Sequence, residues 1–200
     1  TQMHCVRDTA GVLDCMWLPS VQSSGPNLLA AACSDASIKV YELLSNATEL
    51  NAGARLQLWA VADCPNAGHC MSIDVRAAID QDMAPQIALS STSGALFVFD
   101  VGNSGLHLLH TWNAHDLEGW SVAFDAQNPT TLYSGGDDCA FKRWDMRCLA
   151  ASSSPTACNR RAHRAGVCCI SPSAKRQHVI ATGSYDECVR LWDARQLRSP

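Results

Sequence analysis

Read for alternation alone, the chain is a series of short apolar runs separated by small polar turns. In "CVRLWD" (188–193), Val189 and Leu191 fall on one face and Arg190 and Trp192 on the other. That period of two belongs to a strand and to no helix. Comparable runs begin four units: "VLDCMW" (12–17), "CMSIDV" (70–75), "WSVAF" (120–124) and "VCCIS" (167–171). Each leads into a second strand, a polar turn and a third strand, closed by "CSDASIKVYE", "STSGALFVFD", "GDDCAFKRWD" and "SYDECVRLWD" respectively. The pattern predicts an all-β chain.

Aligned on the closing aromatic, the units place Tyr41, Phe99, Trp144 and Trp192 in one column, 58, 45 and 48 residues apart. A period near 45 with about four short strands predicts a β-propeller blade. The expected blades are 12–60, 70–112, 119–158 and 166–200, with 1–8 an outer strand of a preceding blade. "RLQLWA" (55–60) and "LHLLHTW" (106–112) read as outer strands, and that of the third blade falls within "LAASSSPTACN". Asp35, Asp138 and Asp186 each stand six residues before the closing aromatic, in turns where a short carboxylate can bond backbone amides. Four blades of an expected seven predict a partial propeller, with edge strands that invite pairing.

Composition narrows the partners. A formal net charge of -4 supplies no Lys/Arg stripe for phosphates, so no nucleic-acid partner is expected. The longest apolar runs fall far short of the roughly 20 residues of a membrane span, so no membrane is expected either. The start "TQMHCVRDT" lacks a signal-peptide pattern, and the eleven cysteines form no C-x-x-C. Reduced structural thiols in a cytoplasmic setting are the expectation, with no metal and no cofactor.

Two stretches, "YSGGDDCAFKRWDMR" (133–147) and "ATGSYDECVRLWDAR" (181–195), repeat in register. With Ala114-His115 and Ala162-His163 ahead of them, they resemble the WD-repeat signature. The resemblance implies a buried hydrogen-bonded chain in each blade: His115, Ser134, Asp138 and Trp144, then His163, Thr182, Asp186 and Trp192. In the first two units Tyr41 and Phe99 replace Trp, Ala31 and Leu89 replace the Ser/Thr, and Ser93 stands for Asp. Those blades are expected to rely on packing.

The match extends further. "YSGGDD", "WDMR", "HRAGVCCISPS" and "HVIATGSYDECVRLWDAR", with "RDTAGVLDCMW" and "WNAHDLEGWSVAFD", resemble the diphthine methylesterase family of WD-repeat proteins. The resemblance implies hydrolysis of the methyl ester on over-methylated diphthine, a modified histidine of translation elongation factor 2, during diphthamide biosynthesis. Such chemistry needs a base to activate water and donors aimed at the developing oxyanion. No G-x-S-x-G and no H-E-x-x-H appears, so no catalytic residue is assigned from a motif.

Candidates come instead from the turns of one face. Trp120, Tyr185 and Glu118 are candidates for binding the trimethylammonium group, and His163, Asp137 and Glu187 for activating water. The solvated-turn reading of the same residues stays open. So does a second class of function: Arg147 and Arg195 end two W-D-x-R boxes, which resemble the adaptor-docking element of substrate receptors in cullin-RING ubiquitin ligases. The adjacent His69 and Cys70 are expected to diverge on a strand and carry no chemistry.

Overall fold

The computed structural model describes residues 5–7, 9–19, 25–44, 54–78 and 84–197. Its fifteen strands form four antiparallel sheets in chain order. The first sheet is β1 (Val12–Trp17), β2 (Leu28–Cys33), β3 (Ser37–Leu44) and β4 (Arg55–Asp63). The second is β5 (Cys70–Arg76), β6 (Gln86–Ser91), β7 (Ala95–Gly102) and β8 (Gly105–Asn113). The third is β9 (Gly119–Phe124), β10 (Thr131–Gly136), β11 (Phe141–Asp145) and the short β12 (Ala157–Asn159). The fourth comprises β13 (Val167–Pro172), β14 (Val179–Ser184) and β15 (Val189–Asp193). The outer strand expected over 1–8 falls largely outside the described residues, and 5–7 carry no strand.

Within each sheet the strands pair strictly with their chain neighbours. The first strands β1, β5, β9 and β13 pack against one another in sequence, so the sheets stand side by side as blades. That stacking explains the second strands. β6 and β10 are buried along their whole length because a blade covers each face, and they read as near-continuous apolar or small residues.

Three apolar clusters fill the three seams between blades. Ile38, Val40, Ile87, Leu89, Phe97 and Phe99 join the first two. Leu96, Val98, Trp112, Leu132 and Trp144 join the second and third, with the Trp112 and Trp144 rings edge to face at 5.5 Å. Tyr133, Phe141 and Ile180 join the third and fourth, where Phe141 lies 5.2 Å from Trp192.

Two carboxylates also cross seams. Asp14 Oδ2 accepts the Ile73 N–H at 3.0 Å, and Asp74 Oδ2 accepts the Phe124 N–H at 2.6 Å. Burial pushes the Asp74 carboxyl above its ordinary range, against the pull of its bonds to Phe124 and Val75. A raised carboxyl pKa means the folded state holds this proton more tightly than the unfolded chain. The Asp74 contribution is therefore favourable at low pH and is lost as pH rises through the folded-state value. Asp74→Asn removes this term: the wild-type-minus-variant difference in unfolding free energy should decline as pH rises from 4 to 7. A pH-independent difference in urea titrations would show that Asp74 is not perturbed.

Candidate functional site

The frame of the site is the hydrogen-bonded chain in the third blade. His115 Nδ1 lies 2.8 Å from Asp138 Oδ1 and its Nε2 lies 2.7 Å from Ser134 Oγ, while the Trp144 indole N–H donates to Ser134 Oγ at 2.9 Å. Burial holds His115 below its usual pKa, in the neutral form. The pattern then assigns Nδ1–H as donor to Asp138 and Nε2 as acceptor from the Ser134 hydroxyl. Burial alone would raise Asp138, but the hydrogen bond from His115 and the charge of Lys142 hold its carboxyl far below the ordinary range.

The fourth blade keeps the residue types and changes the wiring. His163 Nε2 lies 2.9 Å from Thr182 Oγ1, which accepts the Trp192 indole N–H at 2.7 Å. His163 Nδ1, however, stands 3.8 Å from Asp186, too far for a hydrogen bond. Arg190 fills the gap, donating to His163 Nδ1 at 3.0 Å and to Asp186 Oδ1 at 2.9 Å. With Nδ1 as acceptor, His163 carries its proton on Nε2, the opposite tautomer to His115. Burial, then Arg190, keeps it neutral.

All four first strands share one irregularity. Pairing skips Leu13 in β1, Met71 in β5, Trp120 in β9 and Cys168 in β13, so each strand carries a bulge at its second residue. A bulge re-aims a side chain, and these four residues all line one groove of about 960 Å³ that runs along the first strands. Trp120 is the aromatic member.

Around Trp120 the turns of two blades converge. Its indole N–H donates to Asp137 Oδ1 at 3.2 Å, and the Tyr185 ring stands nearly perpendicular to it, 6.0 Å away. Asp137 and Tyr185 occupy equivalent positions, each following the residue that pairs with the start of its blade's first strand. Gly166 separates them: its carbonyl accepts the Tyr185 N–H at 3.1 Å and the Cys168 thiol at 3.2 Å. Tyr185 is 64% exposed, so its ring is available to a ligand.

Of the candidates from sequence, Trp120, Asp137 and Tyr185 thus come together. Glu118 contributes a backbone carbonyl, which accepts the Asp137 N–H at 2.8 Å, and Glu187 sits exposed at φ 64° in the same turn as Tyr185. His163 is buried with both ring nitrogens engaged. Gly166 and Cys168 were not singled out by sequence; a glycine has no side chain to signal a role, and Cys168 reads as an ordinary strand residue. A Cβ on Gly166 would lie 2.6 Å from Asp137 Oδ1 and 3.5 Å from Trp120 Nε1. Gly166→Ala should therefore displace Asp137, break its bond to Trp120 and change the Trp120 fluorescence, with thermal stability little altered. An unchanged emission spectrum would count against this tight packing.

On the opposite loops, Asp145 and Asp193 begin short 3-10 turns that hold Arg147 and Arg195. Asp145 takes two bonds from the Arg147 guanidinium and Asp193 three from that of Arg195, with the arginine side chains 72% and 66% exposed.

Comparison with known proteins sharpens this picture. Residues 155–193 match the family described as WD domain, G-beta repeat. Diphthine methyltransferase of Mus musculus is 34% identical over 97% of the chain, and that of Homo sapiens 30% identical over 97%. The chain is a WD-repeat homologue of these proteins. It spans 40% and 42% of their respective lengths. Among solved structures, the polycomb repressive complex 2 of Chaetomium thermophilum contains a chain that superposes with a TM-score of 0.76 at 16% identity. The match covers 96% of this chain and 39% of that one, and it shows the propeller fold alone. The four sheets are accordingly WD-repeat blades.

Proposed function

We propose that this chain contributes the substrate-binding wall of an esterase that hydrolyses the methyl ester of diphthine on translation elongation factor 2. The observation that carries the reading is the meeting of Asp137 and Tyr185 on Trp120, which itself lines the groove, in a homologue of the diphthine methyltransferases. Aromatic faces with a carboxylate beside them attract a trimethylammonium group, which has no N–H to donate and is bound through its diffuse charge. In this reading Asp137 balances that charge and accepts a proton from water, the role a hydrolytic base needs. The bond from Trp120 fixes which carboxylate oxygen remains turned to the ligand.

The test uses the full-length protein with elongation factor 2 bearing methylated diphthine. Release of methanol and loss of one methyl group from the modified histidine are expected. No methanol from folded protein would overturn the reading.

A second reading rests on the matched Asp145–Arg147 and Asp193–Arg195 turns, whose exposed guanidiniums repeat at equivalent places in adjacent blades. Paired, planar donor groups at fixed spacing suit recognition of a protein partner such as a ligase adaptor. Arg147→Glu with Arg195→Glu should abolish adaptor pull-down and spare ester hydrolysis, since neither arginine touches the groove residues. Retained pull-down would discard the adaptor role.

A further inference from the structure

The far end of the same groove carries a group that the proposed reaction does not use. Arg76 closes β5, five residues and roughly 16 Å of strand beyond the bulge residue Met71. Its guanidinium carbon stands 4.7 Å over the Phe124 ring, and its Nη2 donates to Gln86 Oε1. Gln86 is only 7% exposed, and its own amide N–H donates to Asp100 Oδ1 at 2.9 Å. Asp100 therefore orients the amide, the amide orients Arg76, and the guanidinium is fixed in one plane.

The other arm, Nη1, is buried and has no acceptor among the described residues. Neighbouring carboxylates are already committed. Asp14 serves Ile73, and Asp74 serves Phe124 and Val75. Asp125 accepts the Gln127 and Asn128 N–H groups on Oδ1 and the Tyr133 hydroxyl on Oδ2. The residues following Arg76 in the groove lining, Ala77 and Ala78, have no polar side-chain atom to offer. A buried charged donor without an acceptor is costly, and the cost is relieved when an acceptor arrives.

We propose that the Arg76 end of the groove is a second binding subsite that takes a single carboxylate. A planar guanidinium held by stacking and by one amide keeps its remaining N–H groups in one plane, the geometry that matches a planar carboxylate. Asp100 is the carboxylate whose charge acts on Arg76, so a singly charged ligand meets less repulsion there than a doubly charged phosphate. The carboxylate comes from an acidic side chain or from a peptide C-terminus. Arg76 stacks on Phe124, four residues and roughly 13 Å of strand beyond Trp120 on β9, so the subsite is separate from the proposed ester site.

The test is a titration of the full-length protein, followed by the NMR signals of the arginine side-chain nitrogens. Acetate and inorganic phosphate are compared at equal ionic strength. Two short peptides follow, one neutral with a free C-terminus and one capped at both ends around a single glutamate. Acetate should shift the Arg76 signal saturably and phosphate should not, and the peptide that reproduces the shift names the source. Arg76→Lys keeps the charge and loses the fork, and it should weaken acetate binding at least about tenfold. Absence of a saturable acetate shift in the folded wild type, phosphate binding as tight as acetate, or equal acetate affinity in Arg76→Lys would each overturn the subsite. Because methanol release is not the readout, failure here leaves the esterase reading standing.

Discussion

Trp144→Ala should lower the unfolding free energy by about 3–5 kcal/mol, the range for deleting a large buried aromatic. Trp144 is 1% exposed and stands at a junction. Its ring packs edge to face on Trp112 across the seam to the second blade, and its N–H closes the chain through Ser134 to His115 and Asp138. Removing it leaves a cavity and takes one of two hydrogen bonds from Ser134 Oγ in a low-dielectric interior, where both losses are costly. Trp144→Phe separates the two terms: it keeps most of the packing and should cost about 1 kcal/mol, the net worth of one hydrogen bond. Trp192→Ala in the fourth blade should cost less than Trp144→Ala, because Trp192 is only partly buried. Urea midpoints of the three variants check the order, and equal losses for Trp144→Ala and Trp192→Ala would contradict it.

Tyr185→Ala should raise KM for methylated diphthine roughly tenfold with kcat little changed, as expected for loss of one cation–aromatic contact. The ring is exposed and its neighbours make few demands on it, so the fold should be unaffected. Trp120→Ala should raise KM as well, and should also lower kcat, because Asp137 loses the indole N–H that holds it. Tyr185→Phe keeps the aromatic face and should behave like wild type. Steady-state methanol release from the full-length variants separates these outcomes; an Ala variant at position 185 with unchanged KM would remove Tyr185 from the site.

Much of the frame was legible before any coordinates. The columns of Trp144 with Trp192, Ser134 with Thr182, and Asp138 with Asp186 resemble the WD-repeat signature, and it is that resemblance that implies the two hydrogen-bonded chains. The rewiring by Arg190 was not legible. It stands where the third blade has Lys142, another base four residues past the turn acid, and only geometry shows that the longer, forked side chain reaches between His163 and Asp186. The repeated bulge was equally hidden, since Leu13, Met71, Trp120 and Cys168 share no chemistry and a skipped pair leaves no compositional trace.

Contacts across seams follow the same logic. Arg76 meets Phe124, and Asp74 meets the Phe124 amide, through the packing of separate blades, which periodicity within one blade does not report. Trp120 and Tyr185 were visible as aromatic turn residues, whereas their approach to 6.0 Å required the third and fourth blades to be placed side by side. The fourth strand of the third blade, Ala157–Asn159, is so short that the serine-rich loop before it masks its pattern.

The central claim is that the aromatic pair of Trp120, on the groove, and Tyr185, beside it, holds a quaternary ammonium. Titrating the full-length protein with tetramethylammonium, while following the Trp120 indole N–H by NMR, tests it most directly. A saturable shift that disappears in Tyr185→Ala and persists in Tyr185→Phe is the predicted result. A Trp120 signal indifferent to tetramethylammonium, or a shift unchanged by Tyr185→Ala, would contradict it.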